Sequence, residues 1–579
     1  MSLDPDPALF LKKKRRFLSD TLQISSWEAW HPYFLMLQDR NLENKETLEE
    51  WLLDLSELES VFSETQGWNY IHMTGHTNKP EYEEAFNHFA RELEPQAAPF
   101  FHAFHKKLIS SPFTEKLNPL SFGIYLRSVK NELKIYRIEN IPLLTEIDVL
   151  SQEYAKIVGS KTISVNGEEL TLQKAGTLFK STNRTLREET FRKLQVSRLD
   201  CADELDDLFE RLLTMRHKLA LQAGFTNFRD YCFAAYGRFD YTAADCFKLH
   251  EAVAKEVTPW AESTDLNRKQ ALNLDELKPW DTEVDLDGKP AILPFKDSRE
   301  LVSRTIQCFE QIHPQFAAWI RIMDDMGHFD LESRKGKAPG GYNYYLHETG
   351  IPYIFMNSVG SVRDLVTMVH EGGHAMHSFL TRDLPLKENK DVPSEVAELA
   401  SMGMELISME HWQPFFENPD EMRRARKEHL EKALRSLSWI CLVDQFQHWI
   451  YEHPEHTRAE RREQWLVFSS SFESQVVDWT GVEEGKNIGW QRQLHIYEVP
   501  FYYIEYAFAQ LGAIALWRNY RKDPKHTIKQ YISALQLGYT RTIGELYQTA
   551  GIQFDFSKQY VAELATFMKK EIDLLSWRS

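Results

Sequence analysis

Two histidines four residues apart, with a glutamate directly after the first, stand in the stretch His370-Glu371-Gly372-Gly373-His374. On a helix, residues four apart lie one turn above each other on one face, so both imidazoles can reach a single metal ion. A tetrahedral zinc ion held by two imidazoles needs one more protein ligand and keeps one position for water. Glu371 then sits beside the open position, where a general base takes a proton from water. The chemistry within reach of such a set is hydrolysis by a metal-activated water.

The surrounding segment, Ser361 to Leu380, reads as one amphipathic helix. Ser361 and Asp364 have the spacing of an N-terminal capping pair. Leu365, Val369, Met376 and Leu380 recur at helical spacing and predict a buried stripe, whereas Arg363, Thr367, His370, His374 and His377 form a polar one. Two adjacent glycines are costly inside a helix, each by about 1 kcal/mol relative to alanine. Gly372 and Gly373 therefore predict that another backbone, or a substrate, approaches where a Cβ would block it.

A third ligand is sought downstream among Glu388, Glu395, Glu398, Glu405 and Glu410. Glu388 lies in the charged stretch 387–391, which reads as an exposed connection. A second helix opens at Pro393-Ser394, with proline in the first turn and serine as N-cap. Glu395, Glu398, Met402 and Glu405 recur there at i, i+3, i+7 and i+10. The small residues Ala397, Ala400, Ser401 and Gly403 suit a close helix crossing around a metal. Glu398 is the preferred ligand. Glu395 and Glu405 are either groups that orient a ligating histidine or ordinary helix-surface carboxylates.

The run Val369-His370-Glu371-Gly372-Gly373-His374-Ala375-Met376-His377-Ser378, followed by Ala397-Glu398-Leu399-Ala400-Ser401, resembles the oligoendopeptidase F branch of the M3, thimet-type metallopeptidases. Lys278-Pro279-Trp280-Asp281, Pro352 to Asn357 and Trp68 to Thr74 resemble further landmarks of that family, so the likeness covers most of the chain. It implies a zinc endopeptidase of short peptides, with His370, His374 and Glu398 holding one zinc ion and Glu371 as base. It also implies a hollow, mostly helical zincin-type body whose narrow substrate channel excludes folded proteins.

Amide hydrolysis puts negative charge on the former carbonyl oxygen, which neutral donors can stabilise by several kcal/mol. The segment from His495 to Tyr506 is dense in such donors. Pro500 is expected to open a helix there, bringing Tyr503 and Tyr506 to one face. The family resembles this with a histidine followed by several tyrosines, although the spacing here differs by about one residue. Tyr506 is favoured for the transition-state role, then Tyr503, with His495 beside them. The other reading of this segment is an aromatic-rich helix in the core.

Between Pro339 and Asn357, two short strands joined by a turn precede the zinc-type helix and could pair with a peptide backbone. His347 and Glu348 are expected as solvent-facing turn residues. Farther along, His448 and His453 lie five apart, about 140° around a helix, and cannot share a metal from one face. Pro454 is expected to end that helix.

Elsewhere the patterning is helical over 81–108, 143–159, 199–223, 241–272, 297–326, 420–453 and 526–549. One hairpin is clear, with Asn166-Gly167 as its turn and Ile163, Val165, Leu170 and Leu172 alternating around it. The expected fold is mainly α with a few short β-hairpins. Its expected division is an N-terminal helical lobe over 1–200 and a catalytic lobe over 201–579.

A net charge of −18 argues against nucleic-acid and anionic-membrane partners. The run Lys12-Lys13-Lys14-Arg15-Arg16 reads as a solvated helix face. Five scattered cysteines without a Cys-x-x-Cys pair, no signal-peptide core and no membrane-length apolar stretch point to a cytoplasmic protein. Two rival readings are a helical zinc carboxypeptidase, disfavoured by His377 where such enzymes carry tyrosine, and a non-catalytic helical peptide-binding scaffold.

Overall fold

The computed structural model describes residues 14–20, 22, 26–334, 336–338 and 340–576. The chain is mainly α-helical with five short strands among the described residues. In chain order, the elements that matter below are α1 (Lys45–Gly75), β1 (Thr162–Val165), β2 (Glu168–Thr171), α2 (Ala243–Glu256), α3 (Ser298–Ile312), β3 (Phe329–Glu332), β4 (Tyr342–Leu346), β5 (Ile351–Ser358), α4 (Val362–Thr381), α5 (Ser394–Ser408), α6 (Pro419–Glu452), α7 (Glu505–Lys522), α8 (Pro524–Leu535) and α9 (Ile543–Thr549). No helix among the described residues is long and apolar enough to cross a membrane. All five cysteines are free and buried.

The chain groups into two compact units. One comprises Met1–Lys134, Leu293–Arg426 and Gly512–Phe554; the other comprises Ile135–Ile292, Lys427–Leu511 and Asp555–Ser579. A single cut near residue 200 does not describe this grouping, because segments far apart in sequence pack together within each unit.

In the first unit, the N-terminal part builds an aromatic core. Trp30, Phe34, Trp51, Phe62 and Phe104 are buried together, with Trp30 edge-on to Phe62 at 5.2 Å and Phe34 stacked on Phe104 at 6.1 Å. Such offset and edge contacts suit the ring quadrupoles. Of the basic run, Lys12 and Lys13 lie outside the described residues. Arg15 and Arg16 are not on a helix: Arg15 pairs with Glu348 at 2.7 Å with only 5% of its side chain exposed, and Arg16 pairs with Asp54 at 2.6 Å. Arg15 and Arg16 are thus ion-paired against folded elements and do not form a solvated helix face.

The same unit holds a three-stranded sheet in the order β3-β5-β4. β4 and β5 pair antiparallel, from Tyr342 opposite Phe355 to Leu346 opposite Ile351, as the two-strand pattern predicts. β3 adds a parallel neighbour to β5. Lys337 ties the two parallel strands together: its ammonium, fully enclosed, donates to the carbonyls of Asp330, Glu332 and Met356 and to the Asp330 carboxylate, and lies over the Phe355 ring.

In the second unit, β1 and β2 form the expected hairpin, with Ile163 opposite Leu170. Asn166 and Gly167 both take positive φ, 54° and 81°, as a two-residue turn of the hairpin type requires. Ile163, Val165 and Leu170 pack with Ala175 and Leu194 in a small satellite core.

Candidate metal centre

α4 begins at the predicted cap. Asp364 donates its backbone N–H to Ser361 Oγ at 3.3 Å, and Asp364 Oδ2 accepts the Ser361 backbone N–H at 2.9 Å. The pair satisfies two N–H groups that have no partner inside the helix. Leu365, Val369 and Met376 are fully buried, as the periodicity predicts, whereas Leu380 at the end of the same stripe is only partly buried. α5 starts with Pro393 as its N-cap, and Ser394 is the first helical residue instead of the cap.

The glycine pair explains how α4 meets its neighbours. A Cβ on Gly373 would stand 2.6 Å from the carbonyl oxygen of Ala400 and 2.6 Å from Ser401 Cα, so α4 and α5 cross in backbone contact. A Cβ on Gly372 would stand 2.7 Å from the Phe309 ring on α3. Both glycines are required by close approach, one to a backbone and one to a ring.

This crossing brings three donors together. Ligand atoms of His370, His374 and Glu398 lie within 4.8 Å of one another. Glu398 Oε2 is 3.3 Å from His370 Nε2 and 3.7 Å from His374 Nε2. A tetrahedral zinc with bonds of about 2.0–2.1 Å separates its ligand atoms by roughly 3.3 Å, so this donor set has the spacing of a zinc cradle. The two imidazoles are partly exposed, with 19% and 20% of their side chains accessible, whereas Glu398 is buried at 7%.

Neighbouring groups hold these donors in place. Glu405, one of the two carboxylates expected as possible orienting groups, lies with Oε1 at 2.6 Å from His370 Nδ1. That contact leaves Nε2 free to face Glu398, the arrangement that orients a ligating imidazole. Ser401 donates to Glu398 Oε2 at 2.9 Å. The Tyr531 hydroxyl on α8 donates to the Ala400 carbonyl at 2.7 Å, and Tyr547 on α9 donates to the Glu395 carbonyl at 2.9 Å. Of the remaining candidates, Glu410 accepts from Trp517, Arg426 and Arg521, and burial together with Glu388 raises Glu59 well above the carboxylate range.

The electrostatics are those of a crowded, desolvated cluster. Burial alone lowers a histidine, but hydrogen bonds with Glu398 and Glu405 carry His370 well above its ordinary value. His374 has no such bond, and burial lowers it to about 4. Burial opposes ionisation of Glu398, yet the His370 hydrogen bond and the charges of His374 and His370 bring it down to about 2. Glu371 is pushed up to about 7 by burial, against the pull of His370 and with the push of Glu398 and Glu405. A carboxylate poised near neutrality can both accept and return a proton. Asn343 on β4 donates to the Glu371 carbonyl at 3.1 Å and fastens the sheet to this turn of α4.

Two histidines differ from their expected environments. His377, a member of the polar stripe, is buried, with its pKa lowered to about 3 by burial, and it hydrogen-bonds the Leu535 carbonyl. His347 is also buried, and its Nε2 lies 2.7 Å from Asp391 Oδ1. Both are covered by elements remote in sequence, which local patterning does not register.

The donor-rich segment belongs to the second unit. His495, Tyr502, Tyr503 and Tyr506 form one aromatic group: the His495 ring is 4.7 Å from Tyr503 and 6.0 Å from Tyr506, and Tyr506 is 5.5 Å from both Tyr502 and Tyr503. Burial raises the Tyr503 hydroxyl to about 12, so it stays a neutral donor. Pro500 does not open the helix. The chain first passes through Phe501 in the left-handed region, φ 67°, then a short 3-10 turn over Tyr502–Ile504, and only then α7. A bulky residue in that region is strained. Here the Phe501 N–H donates to Gln447, its carbonyl accepts from Arg238, and its ring is buried against Phe233, Tyr451 and His448.

Ser401 and Asn343 were not among the expected site residues. Ser401 is legible only as a small residue, and Asn343 carries no local signal; each gains its role through a partner on another turn or element. His448 is buried on α6, whereas His453 is exposed just past its end, so the two do not face one another.

A mainly helical chain in which a His-Glu-x-x-His helix crosses a glutamate-bearing helix at backbone contact defines a helical protein with a two-histidine, one-glutamate metal-type centre. Known proteins agree. The profile of peptidase family M3 matches residues 177–566, and that of the peptidase M3 N-terminal domain matches residues 21–136. The chain belongs to peptidase family M3. It is 24% identical over 310 residues to oligopeptidase PepF of Bacillus subtilis, a match spanning 52% of this chain and 45% of that protein. The matched part thus spans about half the length of such curated relatives. Among solved structures, a PZ peptidase A with an inhibitor superposes with a TM-score of 0.89 at 27% identity, covering 96% of this chain and 99% of that one. A structure provisionally named oligoendopeptidase F gives a TM-score of 0.89 at 28% identity over 97% and 99%.

Proposed function

We propose that the chain is a zinc-dependent endopeptidase that hydrolyses internal bonds of short peptides, with His370, His374 and Glu398 holding one zinc ion. The observation that carries this reading is the meeting of these donors at zinc-like spacing beside Glu371. Zinc bound in such a cradle lowers the pKa of water and polarises a carbonyl. Glu371 takes the proton of the attacking water and returns it to the leaving amine, as its raised affinity for protons permits. Glu405 keeps the His370 ring oriented through Nδ1. Tyr506, then Tyr503, with His495, supply neutral donors to the developing oxyanion; this part rests on their chemistry and the family resemblance. β4 offers a sheet edge on which a substrate backbone can lie, and this would recognise peptides without reading side chains. The expected locale is the cytoplasm.

Replacing Glu371 by Gln should leave bound zinc in place and cut cleavage of an end-blocked fluorogenic peptide by about 10²–10⁴-fold. A fully active variant rejects the assignment. Product analysis on the same peptide should show internal cuts; stepwise loss of C-terminal residues from an unblocked peptide would instead mark a carboxypeptidase. Tyr506→Phe should lower kcat by about 10²–10³-fold with little change in KM. If Tyr506→Phe is silent and Tyr503→Phe is not, the transition-state donor is Tyr503.

A further inference from the structure

In the second unit, α2 and α6 each carry a pair of donors one helical turn apart. Cys246 and His250 stand on α2, and Asp444 and His448 stand on α6. All four are enclosed, at 0%, 3%, 0% and 1% exposure. Donor atoms of Cys246, Asp444 and His448 lie within 4.8 Å of one another. His250 Nε2 is 2.9 Å from Asp444 Oδ2, and His448 Nε2 is 3.2 Å from the same oxygen.

Apart from the bond between His250 Nε2 and Asp444 Oδ2, hydrogen bonds do not satisfy the polar atoms of this cluster. Both ring nitrogens of His448, Oδ1 of Asp444 and Nδ1 of His250 have no hydrogen-bond partner. A buried polar atom left without a partner costs about 1–3 kcal/mol, so a cluster of four such atoms calls for something to bind. The Asp444 carboxylate is wholly enclosed, with the two imidazoles against it, and Arg238, whose charge reaches Cys246, is already paired with Glu505 at 2.6 Å. A buried carboxylate is held stably only when positive charge pairs with it.

We propose that Cys246, Asp444 and His448 form a second, structural metal site for a zinc-class divalent ion, with His250 holding the Asp444 carboxylate in place. One thiolate, one carboxylate and one neutral imidazole make a sulfur, oxygen and nitrogen set that suits zinc or cobalt and disfavours calcium and magnesium, which take oxygen ligands. A thiolate and a carboxylate also neutralise a dication. Binding breaks the S–H bond of Cys246, forms the metal–sulfur bond and releases one proton to solvent; nothing is oxidised or reduced. Zinc bonds of about 2.0–2.3 Å require ligand atoms roughly 3.3–3.7 Å apart, a contraction within reach of side-chain torsions. The walls are aromatic: the His448 ring lies 4.6 Å from Phe247, 5.3 Å from Phe501 and 6.0 Å from Phe233, and Phe472 stands 6.4 Å from His250. Closed, apolar surroundings are those of a metal that braces two helices.

The full-length chain, produced in growth medium where cobalt replaces zinc, tests this directly. The expected result is about two cobalt ions per chain and a sulfur-to-cobalt charge-transfer band in the near ultraviolet, because only this site supplies a thiolate. Cys246→Ser should remove the band and about one ion, whereas His374→Ala should keep the band. Should Cys246→Ser fail to fold, wild type and His374→Ala still decide the matter by band and metal content. Absence of the band from the folded wild-type chain, or its persistence in Cys246→Ser, overturns the proposal.

Discussion

The crossing of α4 with α5 and the packing of α2 with α6 both gather donors from two packed helices, with at least one pair a helical turn apart, and arrive at opposite environments. At the first, Gly373 removes the side chain at the crossing, so the helices touch at backbone, and the two imidazoles keep about a fifth of their surface. At the second, the donors are almost wholly enclosed, with aromatic rings against both histidines, one of these rings on a residue in the left-handed region. Catalytic metal sites keep a position open, whereas structural sites close. What differs here is less the donors than what surrounds them: small residues against α4, rings around His448.

The sharpest break between the two sites should come from a chelator. Dialysis of the zinc-loaded chain should abolish peptide cleavage while about one ion per chain stays bound, because an enclosed ion exchanges only when the helices open. Metal analysis alongside the activity assay reads this, and simultaneous loss of both ions would erase the contrast. Next in size is Glu405→Gln. Removing the carboxylate beside His370 Nδ1 should weaken the first site's zinc affinity by about 10–100-fold and leave the second site unchanged. The smallest effect is expected from Gly373→Ala, read by thermal melting. The added methyl meets a carbonyl oxygen and a Cα, and overpacking of this kind costs about 1–3 kcal/mol. An unshifted melting point would mean that α5 yields freely.

Local rules made the first site legible. The cap, the donor spacing, the glycine pair and the small-residue helix all follow from periodicity and propensity, and the structure brings their side chains together. The hairpin was equally legible, since Asn166-Gly167 announces its turn. β3 was not, because four residues pairing in parallel with a strand more than twenty positions later leave no alternating pattern. The burial of His347 and His377, and the left-handed Phe501, depend on partners distant in sequence. The second cluster was hidden for a related reason. Its two donor pairs lie on helices nearly two hundred positions apart, and neither pair stands out alone.

Lys337 acts as a bound cation on a covalent leash. Three carbonyls and a carboxylate surround its ammonium much as oxygen ligands surround a potassium ion. A tethered ion has no dissociation constant, and its occupancy does not depend on what is dissolved around it. The strands that it staples, and through Asn343 the turn of α4 that carries Glu371, therefore keep their brace in a chain stripped of metal.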